Sequence, residues 1–236
     1  MMRRVGILGG TFDPIHQGHL NAGVAAQEAL GLSPVLVMPS HVPPHRRLPV
    51  ASAFHRFAMV ALAVADRPDW QASDFELTRA EPSFTVTTLE RLHALGHRPT
   101  ELFFIVGADA FGDIRTWKDH LRVLDGAHFV VVSRPGSPAT ALAQTLPMLA
   151  DRIVSASADD LLSSAPRIVP LDVQTGDASS TAVRAQLAAG LRVAGVLPRA
   201  VAQHIEQHGL YTPTGTIVET HHRAAFPAAD RLHGKS

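Results

Sequence analysis

Four apolar stretches with almost nothing polar alternating through them constrain this chain more than any other feature: residues 5–8, 35–38, 102–106 and 129–132. A strand with one wet face alternates apolar and polar side chains, whereas a continuous run must be covered on both faces, as in a parallel sheet between helical layers. Between the runs lie segments of helical period. Residues 20–30 place Leu20, Val24 and Leu30 on one face and stop at Gly31. Residues 53–65 predict an apolar face of Phe54, Phe57, Ala58, Ala61, Leu62 and Ala65. Residues 83–95 space Val86, Leu89 and Leu92 for one face, with Gly96 after them. Residues 168–171 are a shorter strand candidate, and helical segments at 182–189 and 198–208 follow. Strands alternating with helices imply an α/β fold, a Rossmann-like, doubly wound parallel sheet with ligands at the carboxyl ends of its strands.

Residues 1–211 read as one domain whose C-terminal part, about 179–211, is helical. Residues 133–164, rich in Ser, Ala and Pro, suggest a surface helix and a long loop. Residues 212–236 lack periodicity and are expected to form a poorly ordered extension. With 21 basic against 21 acidic residues, the chain has no footprint for nucleic acid or membrane surfaces. It has no cysteine, which excludes disulfides and thiol catalysis. The first apolar run is too short for a signal peptide, and no run approaches the ~20 residues of a spanning helix. A soluble cytoplasmic protein is expected; oligomeric state is not written in the sequence.

The joint after the first run carries the chemistry: Gly9-Gly10-Thr11-Phe12-Asp13-Pro14-Ile15-His16-Gln17-Gly18-His19. Glycines at a strand exit let backbone approach a ligand, and a helix N-terminus suits a phosphate. Imidazoles at positions 16 and 19 fall on the same side of the first turn. A His-x-x-His pair alone is a weak signal; its place between first strand and first helix makes it informative. Further candidates sit after later runs. Pro43-Pro44-His45-Arg46-Arg47 is a stiff basic loop, read alone as easily solvated as functional. Ser83 can cap the helix that follows it. After Gly107, Asp109 can accept from a ribose hydroxyl or cap a helix. Trp117, between Thr116 and Lys118, suits a stacking platform. Arg134 ends the fourth run, and Ser179-Ser180-Thr181 precede a helix with Arg184 one turn in, a cap or a phosphate site.

The first stretch resembles the GGxFDPxHxGH signature of the HxGH nucleotidyltransferases, and residues 3–211 are similar to their bacterial nicotinate-nucleotide adenylyltransferase branch. Residues 179–184 resemble that branch's ISSTxIR box, with Ala178 and Val183 in place of isoleucines, and residues 205–211 its terminal I-x-x-x-GLY. The resemblance implies adenylyl transfer from ATP to nicotinate mononucleotide, with the sheet of the nucleotidyltransferase type and Mg²⁺ delivered with ATP. It assigns catalysis to His16, His19 and Arg184. It assigns ATP contacts also to Gly10, Thr11, Phe12, His45, Arg46, Gly107, Asp109, Arg134, Ser180 and Thr181. Ser83, Thr85, Thr116 and Trp117 would hold the pyridine nucleotide; the branch often has tyrosine at the position of Phe84. Beside polyanions the histidine pKa values should rise.

Two alternatives stand beside this reading: a relative acting on another phosphate acceptor such as phosphopantetheine, and a nucleotide sensor without turnover. A dehydrogenase is disfavoured, because the first loop lacks G-x-G-x-x-G and the second strand ends in Met38-Pro39. No protein metal site is expected. His204 and His208 have the spacing of a zinc helix, but Glu206 does not directly follow the first histidine. With no third ligand evident, they read as solvent-exposed, as do His93 and His97.

Overall fold

The computed structural model describes residues 3–42, 48–79, 81–157, 161, 164–173, 176 and 178–212. In chain order its elements are β1 (Val5–Gly10), α1 (Gln17–Leu30), β2 (Val35–Pro39), α2 (Ala53–Val64), β3 (Trp70–Ala72), α3 (Thr85–Ala94) and β4 (Leu102–Gly107). They continue with α4 (Ala108–Gly112), α5 (His120–Gly126), β5 (His128–Val132), α6 (Leu142–Thr145), β6 (Ile168–Leu171), α7 (Ser180–Ala188) and α8 (Arg199–Gln207). All six strands pair in parallel, in the order β3-β2-β1-β4-β5-β6. The chain runs outward from β1 to β3, returns, and continues from β4 to β6 on the other side. The carboxyl ends of β1 and β4 are therefore the switch point where such a sheet opens a crevice.

The unalternated strands have a simple physical reason. Leu8, Val37, Phe103, Ile105, Val130 and Val132 face one core with α1, α2, α7 and α8. Ile7, Met38, Phe104, Phe129 and Val131 face a second core with α3, α4 and α5. Successive residues of one strand thus enter different cores, and both sets must be apolar.

Three expectations need correction. The buried face of α2 is Arg56, Met59, Val60 and Val64, while Phe54 is 87% exposed and Leu62 is also exposed. Most of that helix is apolar, so period alone could not choose the face; a buried guanidinium chose it. The sequence also missed β3, a three-residue strand whose Trp70 is buried over Gly23 of α1. A Cβ at Gly23 would lie 2.3 Å from the indole, whose Nε1 donates to Gln27 Oε1 at 2.8 Å. Third, part of the segment expected at the surface packs into the second core: Ala139, Leu142, Leu146 and Leu149 are buried through short turns. The expected extension lies outside the described residues from position 213 onward. Among the described residues no helix is long and apolar enough to cross a membrane.

Candidate active site

The loop between β1 and α1 is bound on every side. Phe12 is left-handed at φ 50° and almost wholly buried, its ring edge-on to His19 at 5.0 Å. That ring lies against Gly10, where a Cβ would come within 2.9 Å of it, so glycine is required there. Asp13 is buried, and both of its carboxylate oxygens are engaged. Oδ2 accepts from the N–H of Val50 at 2.7 Å; Oδ1 accepts from the N–H of Ala51 at 3.0 Å and the Tyr211 hydroxyl at 2.7 Å. Burial, then the negative charge of Asp13, pushes the Tyr211 phenol far up, so it stays a donor. Arg56, 1% exposed, donates Nη1 to the carbonyls of Thr11 (2.9 Å) and Ser40 (2.6 Å), and Nη2 to that of His41 (3.1 Å). One guanidinium therefore ties the exits of β1 and β2 together.

His16 caps α1, and its ring stacks on that of His19 at 3.7 Å between centroids. The N–H of His16 donates to His19 Nδ1 at 3.3 Å, which places the proton of a neutral His19 on Nε2. His16 is 1% exposed, and its Nδ1 has no hydrogen-bond partner among the described residues. Burial, then the nearby Arg134 guanidinium, lowers its pKa to about 4. Without a polyanion His16 is thus held neutral, and a bound phosphate would have to drive the rise expected from sequence. The N–H of Gln17 is also taken, by the carbonyl of Val196 at 2.8 Å, so side chains supply donors at this end of α1.

The start of α7 closes the other wall. Ser179 caps it, accepting from the N–H of Ala182 at 3.1 Å. Ser180, assigned to ATP, instead donates its hydroxyl to the carbonyl of Pro14 at 3.0 Å. Arg184 donates Nη1 to the carbonyl of Asp13 at 2.7 Å, and Nη2 lies 3.4 Å from Thr181 Oγ1. The box that follows β6 is therefore folded onto the histidine loop. Arg184→Lys keeps the charge but cannot span both contacts, so kcat/KM for ATP should fall by ~10–10²-fold. Initial rates across an ATP series check this, and an unchanged value would reduce the box to a helix cap.

At the end of β4, Gly107 permits the approach of Asp109 and Arg134: a Cβ there would meet Asp109 Oδ1 at 2.6 Å and Arg134 Cγ at 3.2 Å. Arg134 Nε and Asp109 Oδ1 are 4.0 Å apart. On the β2 side, α3 opens at Thr85, capped by the extended Phe84 rather than by Ser83. Ser83 Oγ accepts from the N–H of His41 at 2.8 Å, joining α3 to the strand exit. Lys118 Nζ sits 4.7 Å from the centroid of the Phe84 ring, and half-buried Trp117 meets Phe104 and Phe129 edge-on, both at 6.4 Å. Thr116 is turned to its own segment, donating Oγ1 to the carbonyl of Asp113 at 2.8 Å. His45 and Arg46 lie outside the described residues. Sequence reasoning missed the positioning roles of Asp13, Arg56 and Tyr211. The signals were a charge inside an apolar helix and the chain's single tyrosine.

Burial of imidazole should also make the fold less stable in acid. His128 is 0% exposed, and its Nδ1 accepts from the N–H of Arg167 at 3.0 Å; burial lowers its pKa to about 4, as for His16. Both groups have folded values below the unfolded ~6.5, so the stability they carry is complete above ~6.5 and is lost as pH falls through about 4. By pH 5 the loss should reach roughly 2 kcal/mol per histidine. Urea midpoints at pH 7 and pH 5 test this, with His128→Gln expected to flatten the difference.

A doubly wound sheet whose switch point gathers two imidazoles and two guanidinia around a glycine-rich loop is the architecture of nucleotide-handling α/β proteins. The chain belongs to the cytidylyltransferase-like family, which it matches over residues 7–186. A probable nicotinate-nucleotide adenylyltransferase of Aeromonas hydrophila is 42% identical over 210 residues, covering 89% of this chain and 97% of the relative. One from Thermus thermophilus is 43% identical over 209 residues, covering 88% and 99%. Among solved structures, the nicotinic acid mononucleotide adenylyltransferase of Plasmodium falciparum complexed with NaAD has a TM-score of 0.64 at 16% identity. It covers 89% of this chain and 97% of that one, and speaks for the fold.

Proposed function

We propose that this chain is an enzyme that transfers the adenylyl group of ATP to nicotinate mononucleotide, releasing pyrophosphate and forming nicotinate adenine dinucleotide for NAD biosynthesis. The observation that carries this reading is the stacked His16–His19 pair with Arg184 anchored on the same loop. The chemistry is in-line: a phosphate oxygen of the mononucleotide forms a bond to the ATP α-phosphorus as the bond to the bridging oxygen of pyrophosphate breaks. Such transfer needs positioning and charge stabilisation more than proton movement. His19, with its proton on Nε2, donates to a phosphate oxygen; Arg184 and Arg134 balance the charge that builds on the leaving group. Asp109 accepts from the adenosine ribose.

Mg²⁺ would enter with the triphosphate. The carboxylates here fit that role, since the oxygens of Asp13 are already engaged and Asp109 is largely exposed beside Arg134. Such a site offers no protein cage, and Mg²⁺ readily keeps its waters and phosphate ligands while neutralising their charge.

The pyridine nucleotide would lie between Trp117 and the first turn of α3. That helix start favours a carboxylate, and Lys118 adds a cation near Phe84, so the acid should be preferred over its amide. Mismatched polar groups cost ~1–3 kcal/mol each, so two give a preference of ~10² or more. Pyrophosphate release from Mg²⁺–ATP with a panel of acceptors tests the reading. Turnover with nicotinate mononucleotide exceeding that with its amide and with phosphopantetheine supports it. Turnover confined to phosphopantetheine, or none with any acceptor, would favour one of the other readings.

A further inference from the structure

The histidines of α8 do not point singly to solvent. His204 Nε2 lies 3.1 Å from Nδ1 of His55 in the first turn of α2, the third imidazole that the sequence could not supply. His208, one turn beyond His204, brings its ring to 4.4 Å from His204 and 4.9 Å from His55, centroid to centroid. One ring nitrogen from each of the three falls within 4.8 Å of the others. A tetrahedral Zn²⁺ with ~2.0–2.1 Å bonds holds its nitrogens ~3.3 Å apart. The His55–His204 pair is already at that spacing, and small rotations about χ bring His208 in. A hydrogen bond between two neutral imidazoles accounts for the 3.1 Å contact but gives no reason for the third ring.

The chemistry of the cluster narrows the ligand. Three imidazoles without a carboxylate suit a borderline transition-metal ion and give Mg²⁺ or Ca²⁺ nothing they prefer. His208 is exposed, which leaves a fourth position for water.

We propose that His55, His204 and His208 form a Zn²⁺-type site that clips α8 onto α2. His55 is followed by Arg56, whose guanidinium holds the exits of β1 and β2, and His208 precedes the segment that delivers Tyr211 to Asp13. The ion would brace both supports of the phosphate-binding loop while touching no substrate.

The test uses the full chain, stripped with EDTA at pH 7.5 and titrated with Zn²⁺ against a chromophoric chelator, with Co²⁺ spectra and thermal unfolding alongside. The expected result is one equivalent of Zn²⁺ bound at micromolar Kd or tighter, the intense visible bands of tetrahedral Co²⁺, and a Tm raised by ~5 °C at 100-fold excess over Kd. His208→Gln, at an exposed position, should fold, weaken Zn²⁺ binding at least ~10-fold and cut the Tm shift to about half or less at the same Zn²⁺ concentration. His221→Gln/His222→Gln, in the C-terminal segment, should change neither. The proposal is overturned by a wild-type Kd above ~100 μM, by His208→Gln binding as wild type, or by loss of binding in the His221/His222 variant.

Discussion

His19→Ala is expected to lower kcat by ~10²–10³-fold while the fold persists, the loss of one preorganised donor at a developing oxyanion. The structure gives this expectation two parts. The Nδ1 of His19 is committed to the N–H of His16, so Nε2 is the donor, and ring rotation is restrained by stacking on His16 and by the edge contact with Phe12. His19→Asn therefore separates donor from shape: an amide can donate but does not reproduce the stacked ring, and partial recovery over alanine would locate the effect in the donor. Single-turnover measurement of adenylyl transfer, with urea midpoints to confirm the fold, decides the matter. Near-wild-type turnover in the alanine variant would remove His19 from the reaction.

The largest stability effect is expected from Arg56→Met. Methionine fills much of the volume, but the carbonyls of Thr11, Ser40 and His41 lose their shared donor in a closed interior. Breaking a buried charged network by removing one partner costs ~3–5 kcal/mol. Asp13 also interacts favourably with the guanidinium, whose own pKa burial lowers. The urea midpoint should therefore fall steeply, and KM for ATP should rise because both loop exits are released. A midpoint shift worth less than ~0.5 kcal/mol would show that the three carbonyls find other partners.

What the sequence made legible follows from which interactions identify a residue type. The strands of both cores announced themselves because alternate side chains enter opposite cores, which forces unbroken apolar runs such as 102–106. The placement of the histidine pair, Asp109, Arg134 and Arg184 was legible because chemically specific side chains stand at strand and helix ends, and the parallel sheet brings those ends to one edge. Arg56, Asp13 and Tyr211 were not. Arg56 spends its donors on three backbone carbonyls, and Asp13 takes two backbone N–H groups. Every residue offers those partners, so the only marks were an arginine inside an apolar helix and a single tyrosine, and neither names a role. For the same reason the sequence did not show that the hydroxyls of Ser83, Ser180 and Thr116 are each hydrogen-bonded to backbone within the protein. Short β3 fell below the length at which a run can be told from a loop, and α2 was too uniformly apolar to show its own face.

The bond from Tyr211 to Asp13 joins residues 198 positions apart, and Arg184 reaches the same loop across 171. His16 and His19 leave the ribosome long before Arg184 and Tyr211, two of the groups that fix their loop. Until those two follow, a nascent chain carries the histidine loop without that clamp, and a chain halted before Tyr211 never acquires all of it. Competence to hold a triphosphate should thereby be deferred until α8 and Tyr211 have emerged, so translation products that stop short of them should be poor traps for nucleotide.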